Sequence, residues 1–409
     1  MKFFNVLTIE ATLSLIAEQF SPVRPPVRIA AADALGRVAA EEIASNEQVP
    51  AFARSTVDGY AVRAKDTFGS SDAIPAFLTI VGHVRMGRTP DKAVGEGEAQ
   101  YIPTGGMLPP GADSVVMIEH VEEVGELLNV FRQTAPGENV IQAGDDAQPG
   151  APIVARGTRL RPQELGVLAA AGVVDVAVYP VPVVGLLSTG DEIVPPETRT
   201  LAPGEVRDVN RVMIAGRLRE AGAEVIDGGI VRDDLELFVR RARELFEQSD
   251  MLIISGGSSV GSRDFTVQAL EALGEPGVLV HGVATKPGKP TIIGKAQGRP
   301  VVGLPGHPVS ALIMLDVLGL PIVRRIRGER PQSFDDRLRA RLTRNVASAV
   351  GRTDYIRVKL EQREDGLWAA PVFGKSGLIS TMAQSDGIGE IPANKEGMLE
   401  GEWIQVKRI

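Results

Sequence analysis

The stretch MLIISGGSSVG at residues 251–261 is the part of the sequence that decides the fold. Its first four residues form an apolar run typical of a buried strand, and the glycine-rich turn after Ser255 leads into a predicted helix over 264–273. The same pattern stands on either side, in VPVVGLLSTGDE at 181–192 and VVGLPGHPVS at 301–310. Each of these segments predicts a strand that ends in a loop of small and polar residues.

Helices and strands alternate around these three segments. The apolar periodicity predicts helices over 210–221, 233–248 and 309–325, with a kink at Pro321, and further strands over 224–231, 278–285 and 291–294. Alternation of this kind is typical of a doubly wound, mostly parallel sheet that helices cover on both faces. The central part of the chain is therefore predicted to be an α/β domain.

The flanking parts of the chain have a different texture. Before residue 181, turn markers recur between short apolar runs, which favours a small β-rich domain with an extended connector. After Gly328 the alternation stops, and strands are predicted over 337–345, 354–362, 367–372 and 402–406. This last pattern indicates a small antiparallel barrel or sandwich.

Composition excludes several classes of function. The 409 residues carry a net charge of -8 and 4% aromatic residues, which disfavours general nucleic-acid binding. There are no cysteines, and hence no disulfides, thiolate metal sites or cysteine nucleophile. No segment has the length and apolarity of a membrane span, and the first twenty residues favour an amphipathic helix capped by Thr8 over a signal peptide. We expect a cytoplasmic protein that uses neither nucleic acid nor membrane as a partner.

Three loops are predicted to meet at one edge of the central sheet. They are 188–192, 255–261 and 304–310, and each follows the carboxyl end of a strand, where α/β sheets bind ligands. Glycine-rich loops before helices offer backbone N–H groups to anions. Lys286 and Lys289 stand in the sequence KPGKP, a stiff segment between two predicted strands, and would add positive charge. One such loop alone is better explained as a tight turn, whereas three together favour a phosphate or oxyanion site.

Carboxylates also stand in predicted loops, at Asp58, Asp191, Glu192, Asp208, Asp233 and Asp264. Near phosphates, carboxylates commonly hold Mg²⁺, and Asp191 and Asp264 lie beside the glycine-rich loops. Asp233 has two interpretations, a helix N-cap or a residue of the site. The four histidines are scattered and predict no zinc site, and no GxSxG elbow supports a hydrolase triad. The loop at 255–261 matches neither GxxxxGK[ST] nor GxGxxG, the two glycine motifs typical of nucleotide binding.

In order and spacing these motifs resemble the MoeA family of molybdopterin molybdenumtransferases, which includes the E domain of gephyrin. The resemblance runs along nearly the whole chain. It rests on PAFARSTVDGYA at 50–61, TGGMLPPGADSVV at 104–116, PGEN at 136–139, STGDE at 188–192, DVN at 208–210, SGGSSVG at 255–261 with Asp264, KPGKP at 286–290 and LPGHPVS at 304–310. Each motif is weak alone, and the series is specific.

The resemblance implies four domains. They are an extended dimerisation segment (1–45 and 150–180), an inserted β-rich domain (46–149), a molybdopterin-binding α/β domain (181–328) and a C-terminal β-barrel (329–409). It also implies a homodimer with its active site at the subunit boundary. The implied reaction is Mg²⁺-assisted hydrolysis of adenylylated molybdopterin, with release of AMP and ligation of molybdate.

The resemblance and the loop analysis together give the predicted site. The catalytic candidates are Asp58, Glu192, Asp233, Asp264 and Lys286. The substrate-binding candidates are Thr104, Ser188, Gly256, Gly257, Lys289, Pro305, Pro308, Ser310 and Arg352. Asp191 and Asp264 are the candidate metal ligands.

Three positions depart from the family pattern. Gly282 stands where many members carry a lysine, His307 where many have asparagine, and Ser258 where valine is commoner. The glycine means either that one cation of the site is missing or that the backbone there needs a positive φ. The alternatives to the implied function are a tungstate-preferring paralogue, a catalytically weakened scaffold, or a nucleotide-processing hydrolase. The last of these would need neither the Asp58 signature nor the C-terminal barrel.

Overall fold

The computed structural model describes residues 6–256, 260–331 and 335–409, and for residues 260–264 the backbone alone. The chain begins with helix α1 (Ile9–Gln19), whose N-cap is Thr8 as predicted, since Thr8 Oγ1 accepts from the amide of Ala11 at 3.1 Å. Ile16 of α1 and its C-cap residue Phe20 pack into the core of the central domain. Three short strands follow: β1 (Val27–Ala30), β2 (Val38–Ala39) and β3 (Ile43–Ala44).

Residues 54–141 form a β-rich unit, as the turn-rich sequence predicts. Its six-stranded sheet has the order β8-β5-β7-β6-β10-β9, and two further strands, β4 and β11, pair with each other. Tyr60, Leu78 and Leu128 fill its core. The strands are β4 (Arg54–Ser55), β5 (Gly59–Val62), β6 (Ala76–His83), β7 (Glu98–Ile102), β8 (Ser114–Met117), β9 (Val121–Val124), β10 (Leu127–Val130) and β11 (Val140–Ile141).

The chain then returns to the first short strands. Strand β12 (Pro152–Val154) pairs with β3, helix α2 (Pro162–Ala170) follows, and β13 (Asp175–Tyr179) lies between β1 and β2. The β-rich unit is thus inserted between two halves of one small substructure.

The central domain is a six-stranded sheet of order β17-β14-β18-β22-β21-β19. Its first three pairings are parallel and the last two antiparallel, in agreement with the prediction of a mostly parallel sheet. The elements are β14 (Val183–Thr189), β15 (Ile193–Val194), β16 (Val206–Arg207), α3 (Val209–Glu220), β17 (Glu224–Val231), α4 (Leu235–Glu247), β18 (Met251–Gly256), α5 (Val260–Leu273), β19 (Pro276–His281), β20 (Thr285–Lys286), β21 (Ile292–Ala296), β22 (Arg299–Leu304), α6 (Pro308–Met314) and α7 (Leu320–Ile326).

Both faces of this sheet are covered. Alternate residues of β18 enter two separate cores, because side chains on a strand alternate between faces. Met251 and Ile253 pack with α1, α3, α6 and α7, whereas Leu252 and Ile254 pack with α4 and α5. A strand buried on both sides needs a continuous apolar run, which is what the sequence of β18 provides.

The predicted long helix over 309–325 is interrupted. A π-helical turn at Leu315–Gly319 separates α6 from α7, and Pro321 lies in the first turn of α7. Proline has no N–H to continue the helical ladder, so the break falls just before it.

The C-terminal domain is a closed barrel rather than a sandwich. Five strands close the ring in the order β25-β26-β23-β29-β27 and back to β25. Strand β20 of the central domain pairs with β25 from outside the ring. The elements are β23 (Leu338–Leu342), β24 (Val346–Ala347), β25 (Thr353–Arg363), β26 (Gly366–Pro371), α8 (Ser380–Ala383), β27 (Gly387–Ile391), β28 (Gly397–Met398) and β29 (Trp403–Arg408).

Across the described ranges of the chain, every helix is too short or too polar to cross a membrane.

Candidate functional site

A cleft with a volume of about 670 Å³ lies between the central domain and the barrel. Its walls are the end of β18, the segment after β20, the loop before α6, and barrel residues 349–352 and 376. Six residues predicted from sequence line it together: Gly256, Lys286, Lys289, Pro305, Ser310 and Arg352. The predicted meeting of glycine-rich loops and lysines at one sheet edge is therefore present in the structure.

The cations of this cleft come from two domains. Lys286 ends β20, which pairs in parallel with the start of β25, so Lys286 lies opposite Asp354. The Asp354 carboxylate is buried, accepts from Arg352 Nε at 2.9 Å, and lies 3.8 Å from Lys286 Nζ. The side chains of Lys286 and Arg352 are 60% and 37% exposed, so both remain open to a ligand.

The loop before α6 is tied to the barrel. Pro308 occupies the first turn of α6, as predicted, and His307 is its N-cap residue. His307 Nδ1 lies 3.1 Å from Ser376 Oγ, and the amide of Val309 donates to the Ser376 carbonyl at 3.1 Å. Ser310, in the same turn, is buried beneath the cleft.

A second cavity, of about 490 Å³, adjoins the first. Gly256, Gly306 and His307 line both. Three more residues predicted from sequence line the second cavity: Ser188, Glu192 and Pro308.

Asn210 lines the second cavity and connects two segments of its wall. Its side-chain amide donates to Ser255 Oγ at 2.9 Å and to the Gly306 carbonyl at 2.8 Å. Among the described residues, the buried Ser188 Oγ and Asn210 Oδ1 have no hydrogen-bond partner. Buried polar atoms without a partner carry a desolvation cost, and a polar ligand at this wall would offset it.

Asp191 and Asp233 lie next to each other, although neither lines the first or the second cavity. The amide of Asp233 donates to Asp191 Oδ1 at 3.1 Å, and Thr189 Oγ1 donates to Asp233 Oδ1 at 3.3 Å. The N-cap of α4 is Asp234, which accepts from the amide of Leu237 at 3.0 Å. The N-cap interpretation of Asp233 is therefore wrong by one residue, and its carboxylate stays exposed.

Two predicted site residues fall where the structure gives no side chain. Gly257 lies outside the described residues, and Asp264 lies on the described backbone of α5 without a described side chain. Among the side chains that are described, no three histidines or carboxylates come close enough to hold a metal ion.

Asp58 and Thr104 lie together on the inserted unit. The amide of Thr104 donates to Asp58 Oδ1 at 2.8 Å, and both residues are exposed. Neither lines either of the two cavities. The structure thus joins the two residues with each other and not with the cleft of their own chain.

Gly282 is explained by its backbone. Its φ is +98°, and a Cβ there would lie 3.5 Å from both the Lys289 carbonyl oxygen and Val6 Cγ2. Residues with a side chain rarely adopt this conformation. Of the two interpretations left open by the sequence, the structure favours the backbone one.

Sequence reasoning missed three polar residues of this region: Asn210, Asp354 and Ser376. Asn210 belongs to the motif at 208–210, which was noted only as part of a resemblance. Asp354 stands two residues after Arg352, the spacing that places side chains on one face of an extended strand, and this signal could have identified it. Ser376 reaches the site from a loop of the barrel, and the sequence contains no signal for that contact.

Three family models match consecutive parts of the chain. The MoeA N-terminal region (domains I and II) matches residues 7–172, a probable molybdopterin-binding domain matches 185–325, and the MoeA C-terminal region (domain IV) matches 339–409. The three matches cover most of the chain.

Several curated proteins are similar along nearly their whole length. The molybdopterin molybdenumtransferase of Bacillus subtilis is 34% identical, covering 93% of this chain and 89% of that protein. That of Haemophilus influenzae is 32% identical and covers 98% of both. A putative molybdopterin biosynthesis protein of Methanocaldococcus jannaschii is 34% identical over 91% of this chain and 90% of that protein.

Solved structures give the same result. Two molybdopterin biosynthesis MoeA proteins from Pyrococcus horikoshii superpose on this chain with TM-scores of 0.77 and 0.83, at 39% and 29% identity. They cover 99% and 98% of this chain, and 99% and 100% of their own.

Proposed function

This chain belongs to the MoeA family, transferases of molybdenum cofactor biosynthesis, and on that premise we propose that it inserts molybdate into adenylylated molybdopterin with release of AMP. The observation that carries the proposal is the pair of adjoining cavities. One is lined by Lys286, Lys289 and Arg352, and the other by Ser188, Asn210 and Glu192. An anionic group and a hydrogen-bonding heterocycle of one substrate would fit such a pair.

The protein residues contribute position and charge rather than a nucleophile. Lys286, Lys289 and Arg352 would bind molybdate or phosphate oxygens through charge-assisted hydrogen bonds. The unpartnered Ser188 Oγ and Asn210 Oδ1 would bind polar groups of the pterin. Preorganised charges and dipoles of this kind can supply much of the catalysis when the substrate carries its own reactive dithiolene.

The exposed carboxylates fit a magnesium ion. Only Oδ1 of Asp191 accepts the Asp233 amide, so carboxylate oxygens of both residues remain free for a hard cation next to substrate phosphates. We propose that Asp191, Asp233 and Asp264 hold Mg²⁺, which would neutralise charge on the phosphates. Glu192, which lines the adjoining cavity, would orient the water that cleaves the phosphoanhydride.

Asp58 and Thr104 fit a role between two copies of the chain. They line neither cavity of their own chain although their motifs belong to the family signature. We propose a cytoplasmic homodimer in which this pair completes the site of the partner.

The experiment that tests the function is incubation with adenylylated molybdopterin, Mg²⁺ and either molybdate or tungstate, with AMP followed by chromatography. We expect AMP release that depends on molybdate. Faster release with tungstate would indicate a tungstate-preferring enzyme. Intact substrate after prolonged incubation with both oxyanions would contradict the proposal and support a scaffold role.

A further inference from the structure

Asp354 is a buried carboxylate at an anion-binding cleft, an unusual place for a negative charge. Its side chain is 4% exposed, whereas the two cations beside it, Lys286 and Arg352, are much more open. A buried carboxylate costs free energy unless charged or hydrogen-bonding partners compensate it. Its local contacts therefore indicate what it does for the cleft.

The contact with Arg352 is one-sided. Asp354 Oδ1 accepts from Nε at 2.9 Å, and no further partner of the Arg352 side chain occurs within the described part of the chain. The two terminal amino groups of the guanidinium therefore remain free. These two groups form the planar fork with which arginine binds two oxygens of an oxyanion.

The contact with Lys286 is longer and leaves that side chain free as well. Lys286 Nζ lies 3.8 Å from Asp354 Oδ2, within ion-pair range but beyond a hydrogen bond. The backbone fixes this neighbourhood, because Lys286 and Asp354 are register partners of β20 and β25. Thr285 Oγ1 also donates to the Thr353 carbonyl at 3.0 Å, which pins the two strands together one residue earlier.

We propose that Asp354 is a positioning residue for the oxyanion, a role that rests on the proposed function and deepens it. Oδ1 of Asp354 orients the Arg352 guanidinium, and Oδ2 holds the Lys286 ammonium next to it. The two cations, which come from two domains, then bind one oxyanion together. The gain in orientation outweighs the repulsion between the carboxylate and the bound anion. Removing the Asp354 carboxylate should therefore weaken oxyanion binding, although it removes a negative charge from the cleft.

The test measures the affinity for molybdate alone, and separately for inorganic phosphate, by calorimetry at fixed salt. Asp354→Asn keeps the size of the side chain and an acceptor for Nε but cannot hold Lys286 by charge, so we expect about threefold weaker binding. Asp354→Ala loses both contacts, and we expect binding at least about tenfold weaker, which corresponds to roughly 1.4 kcal/mol. If either variant bound as tightly as the unaltered protein, or more tightly, the carboxylate would act only as a repelling charge and the proposal would fail.

A double-mutant cycle separates positioning from a general loss of structure. If Asp354 acts through Arg352, then Asp354→Ala should weaken binding far less in an Arg352→Ala background. An equal loss in both backgrounds would overturn the proposal. Should the alanine variant not fold, the cycle is repeated with Asp354→Asn in a Lys286→Ala background, because the asparagine variant loses the charge contact with Lys286 and keeps the acceptor for Arg352.

The matched control is Asp316→Ala. Asp316 is also buried and also accepts from an arginine Nε, that of Arg217 at 2.7 Å, but it does not line the cleft. We expect this variant to lose stability and keep its molybdate affinity. If the control also lost molybdate affinity, buried ion pairs in general would be responsible and the proposal would fail. Absence of molybdate and phosphate binding by the unaltered protein would contradict the proposed function and this inference together, whereas normal binding unaffected by Asp354→Ala would contradict only the inference.

Discussion

The side-chain amide of Asn210 donates to Ser255 Oγ at 2.9 Å and so ties the start of α3 to the end of β18. The same amide also binds the Gly306 carbonyl before α6. A single side chain thus connects the start of α3, the end of β18 and the loop before α6.

Asn210→Ala should therefore disturb both stability and substrate binding. It leaves the Gly306 carbonyl and Ser255 without their donor, and we expect a loss of about 1–3 kcal/mol in the free energy of unfolding. Denaturant titration measures the stability, and AMP release measures KM. Asn129→Ala is the control: its amide reaches Glu122 at 3.4 Å on the inserted unit, and we expect a change within about 0.5 kcal/mol. Equal effects of the two substitutions would contradict the role of Asn210.

Restoring a lysine at position 282 should not restore a cation to the site. Because φ of Gly282 is +98°, both Gly282→Ala and Gly282→Lys should destabilise the protein by about 1 kcal/mol or more. Gly166→Ala is the control, since Gly166 is exposed inside α2 with open space around a Cβ, and should be neutral or stabilising. A Gly282→Lys protein of normal melting temperature that binds molybdate more tightly would refute this interpretation.

Asp264→Asn should preserve folding and weaken Mg²⁺-dependent AMP release by more than about tenfold, a loss above roughly 1.4 kcal/mol in transition-state stabilisation. The physical reason is the loss of an anionic oxygen ligand beside the phosphates. Titrating Mg²⁺ separates weaker metal binding from slower chemistry. Normal activity at limiting Mg²⁺ would leave Asp264 as a residue of the helix start alone.

The oligomeric state follows from the position of Asp58 and Thr104. If the pair completes the site of a second copy, the protein should be a C2 dimer. Light scattering at micromolar concentration in about 0.15 M salt should give twice the chain mass. Mixing an Asp58→Asn chain with a Lys286→Ala chain should then restore part of the activity that each has lost. A monomeric mass would contradict the dimer and the shared site.

Glu390 should make stability depend on pH. Burial raises its pKa above the ordinary value of 4.5, although Arg337, whose Nη1 is 2.9 Å away, opposes the shift. A carboxyl group with a raised folded-state pKa contributes stability that is complete below 4.5 and is lost as the pH rises through the folded-state pKa. Glu390→Gln should therefore match the unaltered protein below pH 4.5 and be more stable at neutral pH. Thermal melts across this range measure the difference, and a variant less stable at neutral pH would show that the ion pair with Arg337 dominates.

The central sheet was predictable because its strands are buried on both faces. A run such as 251–254 has no polar residue that could face water, and few structures other than a covered parallel strand accommodate it. The glycine-rich loops were predictable for the related reason that they must follow such strands and precede helices. This is why Gly256, Pro305 and Ser310 were correctly brought together at one edge.

The barrel was harder to predict because the glycines of one strand make its sequence unlike that of a typical strand. Strand β27 (Gly387–Ile391) contains Gly387 and Gly389, residues that are depleted in strands. They are needed there because the neighbouring strand comes very close: a Cβ on Gly389 would lie 2.7 Å from Ile404 Cδ1. Strand propensity describes a residue by itself. The need for glycine in β27 arises only because β29 packs so closely against it.

The contact between Asp354 and Lys286 could not be predicted from the sequence for a similar reason. Lys286 and Asp354 become neighbours through the register of β20 with β25, and no local pattern specifies that register. The pairing between Asp191 and Asp233 likewise depends on two loops meeting at the ends of different strands.

The attachment of β20 to the barrel has a consequence for how the protein opens. The amide of Thr353 donates to the Ala284 carbonyl at 3.0 Å, so the barrel cannot leave the central domain without exposing this amide to solvent. The same separation would pull Lys286 away from Arg352. Detachment of the barrel and loss of the anion site are therefore one event, and hydrogen exchange at Thr353 would report it. A bound oxyanion should slow that exchange in proportion to its occupancy, and chains divided near residue 328 would each carry half of a site that neither could use.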